Sequence, residues 1–447
     1  MRRWLRHHGL PLPASLEGEA FETYKQARAR LHPGQLSGLR VPCTPGLVSV
    51  ILPVYNGQRY LGDALDSILV QTRTDLELIA VDDGSTDATP RILDGYARRD
   101  SRIRIITQRN EKLPAALSRG FRAARGEFLT WISADNRVYP EFLRKMANCL
   151  EQHAGWDAIY ANEDLIGDDG RLLRDHPAYA VHQKPYGSGH VYFPEETSEL
   201  NAGGDNFVGA AFLYRACVPF LVGEYSDWWF GLEDYDYWMR VNDFLTLRHA
   251  DFREPVYAYR HHGESLTSRH KEMGVPRMLQ DLLATDARRR QSAMRPLTWS
   301  LEGDEARPQV VAILDQLRAS VVFADARHSG SAPLLKEPPD PSLPRVHISV
   351  RSAACGVECP RAPGRKQICR VLVWSDAADL PPEVPAEWDV CVVWSSVGIP
   401  PGLPRARQGW LATADPAVLI HALDIRARCD AFAAAEQRGE WPRGSDA

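Results

Sequence analysis

From Leu47 onward, short runs of β-branched and apolar residues alternate with amphipathic segments of helical period, and this alternation is what most limits the possible folds. LVSVILPVY (47–55) reads as a buried strand, and the stretch Tyr60 to Gln71 carries Leu61, Leu65, Ile68 and Leu69 at helical spacing. LELIAVDDGS predicts a second strand ending in a turn, followed by a helix over Asp87 to Arg98 with Thr86 or Asp87 as its N-cap. SRIRIIT is a third strand, Leu113 to Ala124 a helix that stops at Arg125-Gly126, and EFLTWIS a fourth strand. Tyr139 to Gln152 is a further helix, opened by Pro140 in its first turn. Strands alternating with helices of this length make βαβ units. The expectation is an α/β fold with a mainly parallel sheet and helices on both faces.

The alternation loosens from about residue 160, and 176–206, rich in Gly, Pro, His and Asn, reads as a long loop of the functional kind. Order returns with NFVGAAFLYRACVPFL, a helix around Leu232 to Asn242, strands near 245–250 and 255–260, and a long helix from about 268 to 291. After a Pro/Ser/Gly-rich stretch at 327–345 come the short apolar runs VHISV, CRVLVWS, DVCVVWS and GWLAT, then a helix from Pro416 to about Gln437. The predicted organisation is an N-terminal extension (1–46) with an amphipathic stretch at Glu19 to Leu31, then a principal domain (47–291). A helical segment and Pro-rich linker (292–344) then lead to a small α/β domain (345–447) of unassigned role.

A length of 447 residues is compatible with two or three domains. The net charge of −5 removes the broad basic footprint of a nucleic-acid binder. No apolar run approaches the ~18–20 residues of a membrane-spanning helix, and no apolar h-region follows the basic start MRRWLRHHGLPLP. Eight widely spaced cysteines point to reduced thiols. Cys355-x3-Cys359 with Cys369 lacks a fourth zinc ligand at usual spacing. Together these features predict a cytoplasmic protein, with any membrane association peripheral and through the basic N-terminus.

In open parallel sheets ligands bind outside the carboxyl ends of the strands, and here those positions are strongly polar. Tyr55 and Asn56 follow strand one, Asp82 to Ser85 follow strand two, and Ser133 to Asn136 follow strand four. Acidic groups gathered at one edge repel unless a cation or a donor-rich ligand sits among them. Neither G-x-x-x-x-G-K-[ST] nor G-x-G-x-x-G is present, so a diphosphate bound here is held mainly by a divalent ion and side chains.

The segments VSVILPVYNGQRYLGDALDSILVQT, ELIAVDDGSTDAT, NEKLPAALSRGFRAARGEFLTWISADN and GLEDYDYWMRV together resemble a family-2 glycosyltransferase of the GT-A fold over roughly residues 47–265. The resemblance implies an inverting enzyme that uses a nucleotide-diphosphate sugar, with manganese or magnesium. It puts Pro53 and Tyr55 at the base pocket and makes Asp83 the acceptor of a hydrogen bond from the base, typically uracil. It also makes Asp135 the carboxylate on the divalent ion, Asp234 the general base for the acceptor hydroxyl, and His262 a residue near metal and diphosphate. The family commonly has Asp-x-Asp where this chain has Ala134-Asp135-Asn136, so the first carboxylate is missing. The family-level acceptor is a surface polysaccharide, a lipid-linked glycan or another glycoconjugate, as in the bacterial cell envelope.

Several positions carry two readings. Asp82 and Asp83 both suit a turn, and Asp82 reads as structural. Arg109 and Lys112 follow strand three, where a cation pairs with diphosphate or stays solvated. Glu233, next to Asp234 but about 100° around the helix, faces elsewhere, toward the acceptor or into a helix N-terminus. Trp228 and Trp229 are either an acceptor platform or core. Of His261 and His262, at most one points at the metal. The stretch 186–206 is a lid or a plain loop. The alternative to an enzyme is a degenerate sugar-nucleotide-binding or scaffolding protein, motivated by Ala134; a nucleotidyltransferase would want a Gly-rich loop that PVYNGQRY lacks.

Overall fold

The computed structural model describes residues 25–26, 36, 39–177, 179–294, 297–303, 307–319, 323–328, 344–351, 368–374, 389–395 and 410–439. The amphipathic stretch and basic start of the N-terminal extension (apart from residues 25 and 26), the Pro-rich 329–343, and Cys355 and Cys359 lie outside them.

The alternation read from the sequence is present. Strands β1 (Thr44–Val54), β2 (Leu76–Asp82), β3 (Ile103–Thr107) and β4 (Gly126–Trp131) are separated by helices α1 (Leu61–Leu69), α2 (Thr89–Ala97) and α3 (Lys112–Ala123). Next come β5 (Arg137–Val138), α4 (Phe142–Gln152), β6 (Ala158–Tyr160), β7 (Glu163–Ile166) and β8 (His190–Val191). They are followed by α5 (Ser198–Gly203), β9 (Phe212–Arg215), α6 (Cys217–Val222), α7 (Glu233–Phe244), β10 (Leu247–His249) and β11 (Tyr257–Arg260). A seven-stranded sheet runs β10-β6-β9-β4-β1-β2-β3. Only β9 is antiparallel to its neighbours in it. A smaller sheet, β5-β11-β7-β8, stands beside it.

The apolar runs explain the centre of the large sheet. Every residue of β2 is buried, as are the last seven of β1, which fits strands covered on both faces. Leu61, Ala64, Leu65 and Ile68 form the buried face of α1 at the i, i+3, i+4, i+7 spacing. On the other face α3 approaches so closely that a Cβ on Gly120 would lie 2.3 Å from Ile51 Cγ2, so only glycine fits there. The register pairs Val54 with Asp82 and Ile51 with Trp131, which brings the residues after β1, β2 and β4 to one edge.

The long helix expected from about 268 begins later. Residues Thr267–Arg269 form a 3₁₀ turn, and α8 (Val275–Ala293) starts after Gly274, whose φ of +71° breaks the preceding turn and whose successors include Pro276. The expected boundary at 345 also moves. β12 (Leu297–Glu302), α9 (Pro308–Ala319) and β13 (Phe323–His328) join β14 (Arg345–Arg351), β15 (Ile368–Trp374), β16 (Val390–Val393) and β17 (Trp410–Ala412). These strands form one parallel sheet of order β13-β12-β14-β15-β16-β17. The segment expected to be helix and linker thus supplies two of its strands. Leu297, Trp299 and Leu301 do alternate, but over a run of six residues the period is weak.

The chain's last helix, α10 (Pro416–Gln437), is capped by Asp415, whose carboxylate accepts from the amides of Ala417 and Val418. It packs against α9 and β14 of its own unit and against α6 of the principal domain. One hydrophobic cluster accordingly runs from Ile79 and Trp238 through Leu423 to Val373 without a break. Among the described residues, no helix is long and apolar enough to cross a membrane.

Candidate functional site

The carboxyl edge of β1, β2 and β4 holds the first group of polar side chains. Pro53 is buried within β1, while Tyr55, two residues on, emerges 52% exposed at the rim. Asp83 is buried, and its Oδ1 accepts from Gln108 Nε2 and from the Glu111 amide, each at 2.8 Å. Asp82 plays the structural part expected of it: its Oδ1 accepts from the Ser85 amide at 2.9 Å. Between them and the next loop, Gly84 adopts φ +77°, and a Cβ there would lie 2.9 Å from the Asn110 backbone nitrogen. The turns after β1 and β2 are laced together. Asn56 Oδ1 accepts from the Thr86 amide, Ser85 Oγ from the Asn56 amide and Gln58 Oε1 from the Ala88 amide. Arg109 is exposed on the loop after β3.

The loop after β4 carries the second group. Asp135 Oδ2 lies 3.0 Å from His262 Nε2, with the Asp135 side chain 27% exposed and that of His262 8%. Nδ1 of His262 is buried without a partner, so the ring is only half satisfied by the pair. Asn136 is engaged with β11: its Oδ1 accepts from the Arg260 amide and its Nδ2 donates to Tyr257 Oη. It therefore braces that strand. Ala134 is buried in the core beside it.

Arg260, which sequence reasoning missed, organises this loop. Its guanidinium donates to the carbonyls of Asp135, Gly167 and Asp168 and to Asp63 Oδ2, while lying 4.6 Å over the Tyr60 ring. Tyr60 in turn stands 5.0 Å, centroid to centroid, from His262. The only signal in the sequence is an arginine in the last position of a predicted strand, and nothing marks it as buried.

An oxygen from Asp135 and a nitrogen from His262 suit a hard divalent cation. No group of three or more His, Cys, Asp or Glu among the described residues could hold such an ion alone. The pair fits as part of a coordination shell that phosphate oxygens and water would complete. His261 is turned away, its ring 4.3 Å from His176 and its pKa lowered by burial.

The third group lies at the start of α7. Asp234 Oδ2 accepts from Asn206 Nδ2 at 3.0 Å and Oδ1 from the Tyr235 amide at 2.7 Å. Burial raises its pKa against these two donors. Glu233 is 4% exposed and accepts from the Gly231 amide, and burial with the adjacent Asp234 pushes it up as well. Its place is thus inside the helix N-terminus, away from an open acceptor face. Trp229, read from the sequence as either acceptor platform or core, is 3% exposed and its indole N–H donates to Glu436 Oε1 at 3.2 Å. It anchors α10 and forms no platform. Trp228 is half-buried against the core.

The Tyr259 phenol, bonded to Thr267 Oγ1 at 2.7 Å, is pushed up by burial and further by the charges of Asp135, Glu163 and Asp234. Glu163 is fully buried, with one oxygen accepting from the Ala210 amide at 3.0 Å and the other unpartnered. Burial drives its pKa to about 8. The loop 176–206 contributes β8, α5 and Asn206's neighbour Asp205, which pairs with His182 Nε2 at 2.8 Å. A separate cavity of about 360 Å³ opens beside β10, lined by Asn162, Lys184, Tyr192, Phe193 and His249, and none of the three groups above reaches it.

Comparison with known proteins places residues 49–216 in the sequence model described as glycosyl transferase family 2. Glycosyltransferase GlyG of Streptococcus pneumoniae serotype 4 is 40% identical over 107 residues, 24% of this chain and 36% of that protein. The uncharacterized glycosyltransferase EpsJ of Bacillus subtilis (strain 168) is 38% identical over 107 residues, 24% of this chain and 31% of that protein. The chain thus spans about a third of the length of these curated relatives. Among solved structures, S. aureus TarS 1-349 in complex with UDP-GlcNAc overlaps at TM-score 0.40 and 20% identity, covering 54% of this chain and 66% of that one. Mannosyltransferase PcManGT from Pyrobaculum calidifontis, in complex with GDP-Man and Mn2+, overlaps at TM-score 0.38 and 18% identity, covering 59% and 69%.

Proposed function

We propose that this chain, whose residues 49–216 are a family-2 glycosyltransferase domain, moves a sugar from a nucleotide diphosphate to an acceptor hydroxyl with inversion. The donor is a UDP-sugar and the acceptor a glycan, a lipid-linked glycan or another glycoconjugate. The observation that carries the reading is the Asp135–His262 pair, 3.0 Å apart, with Asp135 on the loop after β4 at the carboxyl edge of the large sheet; the charges of Asp135 and of Asp234 both raise the pKa of the half-buried Tyr259 phenol. In this reading the pair serves the charged leaving group and Asp234 the attacking oxygen, the two roles that a single displacement needs.

In this reading the edge of β1, β2 and β4 is the donor side. Tyr55 stacks on the base from the rim, and the second oxygen of Asp83 is the one left for the base, since Oδ1 is held by Gln108 and Glu111. Asp135 and His262 would hold manganese or magnesium, which when bound stabilises charge on the departing diphosphate. Arg109, exposed on the loop after β3, would pair with the diphosphate. On the acceptor side Asp234 removes the proton of the attacking hydroxyl. Asn206 and the Tyr235 amide fix the carboxylate's orientation, and its raised pKa brings it nearer to the working pH of a general base. Single displacement leaves no covalent sugar on the protein, so no second carboxylate is required.

Titration of the chain with UDP, with and without manganese, and a transfer assay over a panel of nucleotide sugars test the reading. Metal-dependent UDP binding together with turnover is expected. Binding without turnover against the whole panel would instead favour a degenerate sugar-nucleotide binder, and absence of both would sink the donor site.

A further inference from the structure

Glu436, the penultimate residue of α10, is 5% exposed and has its partners in the principal domain. Its Oε2 accepts from Ser226 Oγ at 3.0 Å, and its Oε1 from Trp229 Nε1 at 3.2 Å and from the guanidinium of Arg289. Arg289, 1% exposed on α8, also donates to Asp236 Oδ1 at 2.5 Å. Asp236 lies two residues beyond Asp234, and its other oxygen accepts from Arg240 Nε at 3.0 Å. Arg240 in turn donates to the carbonyls of Val222 and Glu224, where the loop before α7 begins. One buried carboxylate from the C-terminal unit thus closes a circuit around both ends of the segment that carries Asp234.

We propose that Glu436 and Arg289 are positioning residues for the transfer, by which the C-terminal unit sets the place of the loop 226–232 and of the first turn of α7. This rests on the reading of Asp234 as the base. The physical ground is that these groups have little alternative to each other. Without Glu436, a buried guanidinium and a buried indole N–H lose a partner that water does not readily replace. The segment then relaxes to satisfy them, and a displacement of ~1 Å at a reacting group can cost about a hundredfold in rate. The donor side, built on the ends of β1, β2 and β4, is not part of this circuit.

The test compares full-length wild type with Glu436→Ala, Glu436→Gln, Arg289→Lys and the double variant Ser226→Ala/Trp229→Phe, which removes two donors while leaving the carboxylate. Glu436→Ala is expected to lower kcat about 10- to 100-fold with the donor KM and UDP affinity within twofold of wild type. Arg289→Lys and the double variant should fall between. Hydrogen exchange of the amides over 226–236 should rise in each variant, while exchange over 49–83 stays unchanged. A folded Glu436→Ala protein with wild-type kcat and unchanged exchange over 226–236 overturns the proposal. So does a loss of UDP affinity equal to the loss of kcat, which marks general destabilisation. If wild type transfers no sugar, the transferase reading falls by itself. The exchange data still decide whether Glu436 holds the segment.

Discussion

On the proposed donor side, Asp82 and Asp83 are buried but answered: amides and a glutamine within the next turns of the same sheet edge supply their hydrogen bonds. On the proposed acceptor side, Glu163 and Glu233 are buried and both are pushed toward the protonated form, and one oxygen of Glu163 has no donor. Asp234 sits between these regimes, raised by burial yet held by two donors. The contrast separates two jobs. A carboxylate that recognises a base must stay ionised and still. A carboxylate that takes a proton works best when its ionised form is not too comfortable.

Exchanging the base gives the largest effect. Asp234→Asn should lower kcat by ~10²–10⁴-fold and leave metal-dependent UDP affinity within twofold, as read by parallel turnover and calorimetry. Equal losses in both would erase the distinction between the two sides. On the donor side, His262→Ala or Asp135→Asn should weaken manganese-dependent UDP binding by about 10- to 100-fold, with metal-free UDP binding little changed.

The next effect is on stability. Glu163 has a folded pKa of about 8 against an ordinary value of 4.5. Its protonated form therefore contributes stability that is complete below 4.5 and disappears as pH rises toward about 8. Between those limits the wild type should lose up to about 1.4 kcal/mol per pH unit from this group. Glu163→Gln should flatten that slope in urea titrations at several pH values. A slope identical in variant and wild type would mean that Glu163 is not the under-served carboxylate described here. Asp83→Asn, by contrast, should cost only about fivefold in UDP affinity, the worth of one hydrogen bond of ~1 kcal/mol. The smallest and sharpest test is Asn206→Ala. Removing a donor that favours the ionised form should shift the acid limb of the pH–kcat profile upward, because the base must be deprotonated to act. A downward shift would refute the assigned hydrogen bond.

The same division explains what the sequence disclosed. β1, β2, β3 and β4 with their helices were legible because each is a local pattern, and the site positions Tyr55, Asp83 and Asp135 follow strand ends by a few residues. The strands and helix after 345 were legible for the same reason, down to Pro416 as the first residue of α10. The acceptor side was not, because its contacts join Asn206 to Asp234, Tyr259 to Thr267 and Trp229 to Glu436, and no periodicity encodes such pairings. Trp229 shows what residue type leaves open: of acceptor platform and core, the sequence could not choose, and its partner proved to be a carboxylate of α10. Arg260 and Arg289 escaped notice because arginines usually stay in water. Only the assembled carbonyls and carboxylates around them explain their burial.

The lead-in to β1 ends in a contact with the far end of the chain: the Arg40 amide donates to the Ala412 carbonyl at 3.0 Å and the Ala412 amide to that of Arg40 at 2.9 Å. Both bonds run from backbone to backbone, so side-chain substitutions at 40 and 412 leave the clasp in place. It ties the lead-in of the principal domain to β17, at the edge of the second sheet, while α10 packs on α6 elsewhere. The two units are thus joined at two separate points, and loosening one leaves the other to hold them together.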